Sequence, residues 1–549
     1  MHLEEGSYAR NAQIDNALSG SVSITSDELK LKGKSFVSTE TVQLFQTNYS
    51  NKTETDQNGS VDITSKVFEI HDSSYVKTTT VIPMRNAGDI TIDTGSLELS
   101  GNSSLLSNTE PNAYDIEQGI KDSAYSDAGS LEITAQTLKL ADRSKISSDS
   151  FTSGDGGNVV ITTGDLDLVN HSAIYAGALS TGDGAKIEIN SASMTLIDKL
   201  AVVADVRSSG QGGSIGIKLE EMKLDNSLIF GSTSGSGKGS SITVESGSIS
   251  LLNGARIESA ASGAGAAGAL DIQSVQTTII GLGEGFDPKD IEGGETGEQV
   301  ASGLVTSTSR SGDAGTIRVS GASLELSEGL VSSSSVGERA AGSIELDLVE
   351  RLELIEGSSV SVSSSQADGG DIRVSTDGEV YLSGSELTAS AAGDGGSVRL
   401  LGSGNVFMTE GTVSAEAGQD GGNIEISAPQ TLVLQRSGLV ANAIQGDGGN
   451  ISIMAEGFLP SRESVISASS EFGLEGSIEI ETPETNVGGG LVELPERLVG
   501  AEVNLSDRCA LMLSGDVSSF FQNGDGGVPI WSRVNYVPSV FLGDEDREE

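Results

Sequence analysis

The sequence predicts an all-β chain folded as a right-handed parallel β-helix of about sixteen coils, each of about 27 residues and three strands. A short phrase, glycine followed two residues later by apolar-x-apolar, recurs at Gly315, Gly342, Gly370, Gly396, Gly422, Gly449 and Gly476 at intervals of 26 to 28 residues. A period of that length marks a solenoid in which each repeat stacks on the one before. Within a repeat the side chains alternate with period two, as in Ile424-Glu425-Ile426 and Leu432-Val433-Leu434, with a weaker third run at Leu439-Val440-Ala441. Alternation of that kind belongs to strands and not to helices. The 72 glycines and 9 prolines fit many short strands joined by tight turns, because proline would remove ladder hydrogen bonds.

Upstream the phrase continues at Gly268, Gly213, Gly157, Gly129, Gly88, Gly59 and Gly20, with Ala185 and Ser240 in place of glycine in two coils. With strands ~4.8 Å apart, sixteen coils stack to roughly 75 Å. Three parts follow: irregular coils with insertions over 1–128, regular β-helix over 129–481, and a tail or cap over 482–549. Longer intervals place insertions outside the stack at Val37–Gln57, Asn108–Asp127 and Gly281–Gln299, the last an acidic segment near 281–299. At the outward centre of the first strand, successive coils carry Arg318, Glu345, Arg373, Arg399, Glu425, Ser452 and Glu479. Neighbouring opposite charges there help fix register.

The net charge of -47, from 79 acidic and 32 basic residues, argues against nucleic-acid binding, which needs a basic footprint to neutralise phosphates. A single cysteine, Cys509, excludes an intramolecular disulfide. No apolar run is long enough for a membrane span, and Met1–Asn16 lacks the basic and apolar regions of a secretory signal. Either the chain is not exported on its own, or an amino-terminal part precedes it. His2, His71 and His171 are far apart and read as turn residues, and no serine sits in a nucleophile elbow with acid and histidine following. No catalytic residue is named, and the chain reads as a non-enzyme.

Two columns are candidate sites. Asp394, Asp420 and Asp447 each precede Gly-Gly in consecutive coils, with Asp155, Asp183 and Asp313 in similar turns earlier. Plain turn chemistry is the favoured reading. The alternative is Ca²⁺, since stacked carboxylates repel and a hard cation would relieve them. In the second strand, Tyr381, Phe407, Val433 and Pro460 are placed outward in successive coils as an apolar stripe below Glu353. An exposed apolar stripe implies a cover or a partner, and part of the tail containing Phe520, Phe521, Trp531, Tyr536 or Phe541 is expected to pack there or over the open coil after Gly476.

After the last coil come Gly488-Gly489-Gly490-Leu491-Val492-Glu493-Leu494-Pro495, then Asp507-Arg508-Cys509-Ala510, Ser518-Ser519-Phe520 and Gly524-Asp525-Gly526-Gly527-Val528-Pro529. This succession resembles the carboxy-terminal tail of filamentous-haemagglutinin-like exoproteins of cyanobacteria, the secreted partners of two-partner secretion systems, and the repeats resemble that family's shaft. The family's amino-terminal secretion domain has no counterpart here, and Asp525 stands where the family has a basic residue. The resemblance implies an extracellular or cell-surface adhesin, exported through an outer-membrane transporter and binding a polysaccharide or protein receptor. Two other readings remain open: a β-helix polysaccharide lyase or glycosidase, and a calcium-dependent extracellular structural layer.

Overall fold

A computed structural model describes residues 1–14, 20–42, 56–81, 85–110, 126–199, 201–286, 295–427 and 429–483. The chain divides into two compact units, Met1–Pro483 and Glu484–Glu549, and the described residues all belong to the first. They contain strands, turns and no helix. Two long parallel sheets account for nearly all of the strands. One, of 24 strands, holds the first and second strands of the coils, and the other, of 16 strands, holds the third.

Register follows the repeat. Ile344 pairs with Ile372, Val398 with Ile424, Ile424 with Ile451 and Ile451 with Ile478. The inward members of each strand, such as Leu326, Leu354 and Leu382, form columns with no exposed surface. Aliphatic side chains thus fill the bore along its length, which is the apolar burial that favours the fold. In five successive coils the first and second strands run on as one, as in Ser214–Asp225 and Ile344–Ile355.

The repeat glycine marks a close approach of backbones. A Cβ on Gly396 would lie 1.9 Å from the carbonyl oxygen of Gly370, and one on Gly422 would lie 1.8 Å from that of Gly396. The third strand meets this corner with a small residue. Ser333 donates its hydroxyl to Gly315 O and accepts from Gly342 N, and Ser259 does the same with Ser240 O and Gly268 N. In later coils the place is Ala415, Ala441 or Ala468, whose carbonyl accepts the glycine N–H directly. Buried polar backbone is thereby satisfied at a corner lined mostly by small side chains, with Val362 the larger member between Ser333 and Ala389.

The turn between second and third strands is left-handed. Asn102, Asn170, Asn253 and Glu356 have φ between 53° and 61°, a region where asparagine and glycine are least strained. His171 sits in one such turn at φ 61°. His2 lies 3.3 Å from Glu28, and His71 bonds Ser100 at 2.6 Å.

The first two insertions are narrower than the intervals suggest. Val37 is a core residue of Phe36–Val42, which stacks between Tyr8–Ile14 and Tyr75–Thr80. Asn108 belongs to Ser104–Thr109, which also stacks. The third strands are longer than the weak run read from the sequence, so they absorb residues assigned to insertions. Residues 43–55 and 111–125 lie outside the described set. The third insertion leaves the stack as an antiparallel pair, Leu282–Phe286 with Glu295–Ala301. It leans back toward the third-strand sheet, with Glu284 3.5 Å from Lys199 and Ala301 O accepting from Arg256.

The charged column is continuous in register from Arg318 to Glu479. Arg318 meets Glu345 at 2.6 Å and Arg399 meets Glu425 at 3.5 Å, while Arg373 and Arg399 are like-charged neighbours. These exposed pairs specify alignment more than they add stability.

Candidate functional site

The aspartates of the Gly-Gly turns form a ladder. Asp394 N donates to Asp368 Oδ1 at 3.0 Å, Asp420 N to Asp394 Oδ1 at 3.3 Å, Asp447 N to Asp420 Oδ1 at 2.9 Å and Leu474 N to Asp447 Oδ1 at 2.8 Å. The same ladder joins Asp127, Asp155, Asp183 and Gln211 earlier. Each side chain caps the backbone of the next coil, which is turn chemistry propagated along the stack. Among the described residues no group of three or more His, Cys, Asp or Glu is gathered so as to hold a metal ion, so the column Asp394, Asp420, Asp447 is not brought together as a cation cage. Because an amide oxygen accepts as well as a carboxylate here, Asp420→Asn should leave stability nearly unchanged. Asp420→Ala should cost about 1 kcal/mol, read as the difference in urea midpoint between the two variants.

Tyr381, Phe407 and Val433 are vertical neighbours on the outer face of the second strands, each half-buried, below Glu353. Pro460 is not the next member. Val433 pairs with Leu459, and Pro460 pairs with the core residue Leu434. The cause is a shorter corner, with two residues between Ile451–Met454 and Gly457–Pro460 where the coil before has three. Leu459 is 60% exposed, and so are large parts of Phe472, Leu474, Ile478 and Ile480 in the final coil. The expected cover, Phe520 to Phe541, lies outside the described residues.

A recess that sequence reading did not find opens on the outer face of the third-strand sheet. Its volume is about 230 Å³, and it is lined by residues of four coils. The strands Lys145–Ser147, Ala173–Tyr175 and Ala201–Val206 stack in register, placing Ser147, Tyr175 and Val203 in one outward column. Asp149, Gly177 and Asp205 follow in the next, anchored by the bridges Ser150 to Ala178 and Ala178 to Val206. Gly177 keeps the floor low, since a Cβ there would lie 3.3 Å from Asp149 Oδ1 and 2.6 Å from Asp205 O.

The two carboxylates are held differently. Asp205, 6% exposed in its side chain, accepts from Arg207 Nε at 3.2 Å and from the Ser232 hydroxyl. Asp149 accepts from Ser147 Oγ at 2.7 Å. Burial pushes its carboxyl up to about 6; the Ser147 bond, the Lys145 charge and the Gly177 N–H oppose the shift, and Asp205 adds to it. Tyr175 is raised by burial and then by the Asp149 charge, so its phenol keeps its proton. Farther along the sheet Glu258 is raised by burial and lowered by Arg256.

The Asp149 shift has a sign that can be tested. Its ordinary value is 3.8 and its folded value is about 6, so the folded chain binds the proton more tightly and loses stability as pH rises between them. The residue is partly open to solvent although protein atoms crowd the carboxyl, so the loss is about 1–3 kcal/mol and not larger. Asp149→Asn should therefore be more stable than the parent at pH 8, with the difference vanishing by about pH 3. Amide hydrogen exchange of Lys145–Ser147 across that range reads it, and a difference independent of pH would contradict the assignment.

No protein-family model matches this chain, and no curated protein matches it. Among solved structures it is similar to the crystal structure of the HMW1 secretion domain from Haemophilus influenzae, at 16% identity and a TM-score of 0.32, over 69% of this chain and 90% of that one.

Proposed function

We propose that this chain is the shaft of a non-enzymatic exoprotein of filamentous-haemagglutinin type, acting outside the cell or on its surface as an adhesin. The observation that carries the reading is the parallel stacking of strands, which repeats outward columns coil after coil. A rigid body with repeated weak contacts gains avidity through effective concentration and needs no deep pocket. The order of tail motifs from Gly488 to Pro529 adds an outer-membrane transporter as the export partner, and a surface polysaccharide or protein as the receptor.

The test compares beads coated with the full chain with beads carrying a version shortened by whole coils, Gly342–Gly448 removed in register. Adherence to cell surfaces should fall far more than in proportion to the coils lost. Equal adherence, or none by either, would oppose the reading. A second reading is favoured by one feature, the paired carboxylates Asp149 and Asp205 in a recess. A glycosidase works with two carboxyl groups across a sugar, and release of reducing ends from polysaccharide, abolished by Asp205→Asn, would select it. Calcium-dependent assembly stays a proposal distinguished by a Ca²⁺-dependent rise in melting temperature.

A further inference from the structure

Four coils contribute to the recess at Asp149 and Asp205, and its side chains are of mixed kind. Two carboxylates offer acceptors, Lys145, Arg207 and the Tyr175 hydroxyl offer donors, and Phe151, 41% exposed, presents an aromatic face. We propose that this recess is a binding site for a short stretch of a neutral, polyhydroxylated glycan lying along the stack.

The ligand class follows from charge, shape and preorganisation. Two acids and two bases leave the site near neutrality, so neither a phosphate nor a free amine is favoured, and the net charge of -47 further repels anions. Sugar hydroxyls can donate to carboxylates and accept from Lys145 and Arg207 at once, while the apolar faces of the rings cover Phe151 and Tyr175. Asp149 and Asp205 stand two coils apart, ~10 Å along the axis at the parallel-strand spacing, with Gly177 between them leaving the floor free of a side chain. That arrangement suits an elongated ligand. The volume of about 230 Å³ is below the ~300–1,000 Å³ of pockets that enclose a whole drug-sized molecule, so the glycan continues outside. Asp205 is already fixed by Arg207 and Ser232, and Asp149 by Ser147; fixing the polar groups beforehand lowers the ordering cost of binding.

The site does not depend on the adhesin reading, because a soluble oligosaccharide can be bound whether or not beads adhere. Calorimetry of the full chain with neutral hexasaccharides of glucose, galactose, mannose and xylose tests it. At least one should bind with a dissociation constant below about 1 mM, a weak single-site affinity. Asp205→Asn should weaken it by ~10-fold or more, as expected when a charged acceptor is lost. Phe151→Ala, at a partly exposed position that the core does not use, should weaken it ~3-fold or more. Arg399→Ala, on another face, should not change it. Circular dichroism of each variant should match the parent. No saturation by any of the four sugars up to 10 mM would overturn the proposal, as would equal affinity of the parent, Asp205→Asn and Phe151→Ala. Binding without adherence would retain the site and count against the adhesin reading.

Discussion

Replacing Gly396 with valine is expected to unlatch the coil it begins and to cost 3 kcal/mol or more, on the order of the largest overpacking penalties. The added Cβ would stand 1.9 Å from Gly370 O and 2.7 Å from Gly370 C, atoms of backbone that cannot rotate aside. Two branching methyls worsen the clash, so the coils must part and the ladder between Ile372–Thr376 and Val398–Leu401 must lengthen. Alanine should be milder. Ala185 and Ser240 already stand in this column, and each has glycine above and below, at Gly157, Gly213 and Gly268. One intruder can be absorbed by a glycine on either side, whereas two in succession cannot. Gly396→Ala with Gly422→Ala should therefore cost more than the sum of the single changes. Gly384 supplies the contrast. It has φ 58° and nothing within 4 Å of a new Cβ, so Gly384→Ala should show only the ~1 kcal/mol of left-handed strain. Hydrogen exchange over 372–427 distinguishes the three.

Leu354→Asp is expected to be the most damaging single change inside the bore. Leu354 has no exposed surface and lies between Leu326 and Leu382. A carboxylate there finds no cation and no donor, and it must either bind a proton or open the coil, at a cost of several kcal/mol. Since coils touch only their neighbours, the damage should stay local. Exchange protection should vanish in Ile344–Ile355 and the coils on either side, while Ile90–Leu99 keeps its protection. Glu353→Ala, one residue away on the outer face, should behave as an ordinary surface change. Uniform loss of protection from both ends would show that the chain unfolds as one cooperative globule.

The first strands were plain in the sequence because glycine, then an alternating aliphatic pair, announces each of them. The second strands were nearly as plain, apart from the coil whose corner is one residue short, which put Pro460 where Leu459 belongs. Third strands were faint for a physical reason. Their inward places at the glycine corner mostly take serine, threonine or alanine, so Leu330–Ser335 reads as a polar loop although Ser333 is buried and serves two backbone groups. The same faintness widened the insertions at Val37 and Asn108. It also hid the recess, because Asp149 and Asp205 become neighbours only once third-strand register is known. One signal was present. Tyr175, Val203, Phe230 and Glu258 follow Ser147 in one outward column, larger than the serines that hold it farther on, at Ser332 and Ser361.

Distances between spin labels on the charged column test the parallel stack most directly. Labels at Glu345 and Glu425 are three coils apart and labels at Arg318 and Glu479 are six apart. At ~4.8 Å per coil the axial separations should be ~14 Å and ~29 Å, doubling as the coil count doubles. Separations that fail to grow with the number of coils, or that are shorter for the second pair, would contradict the stacking from which every other expectation is drawn.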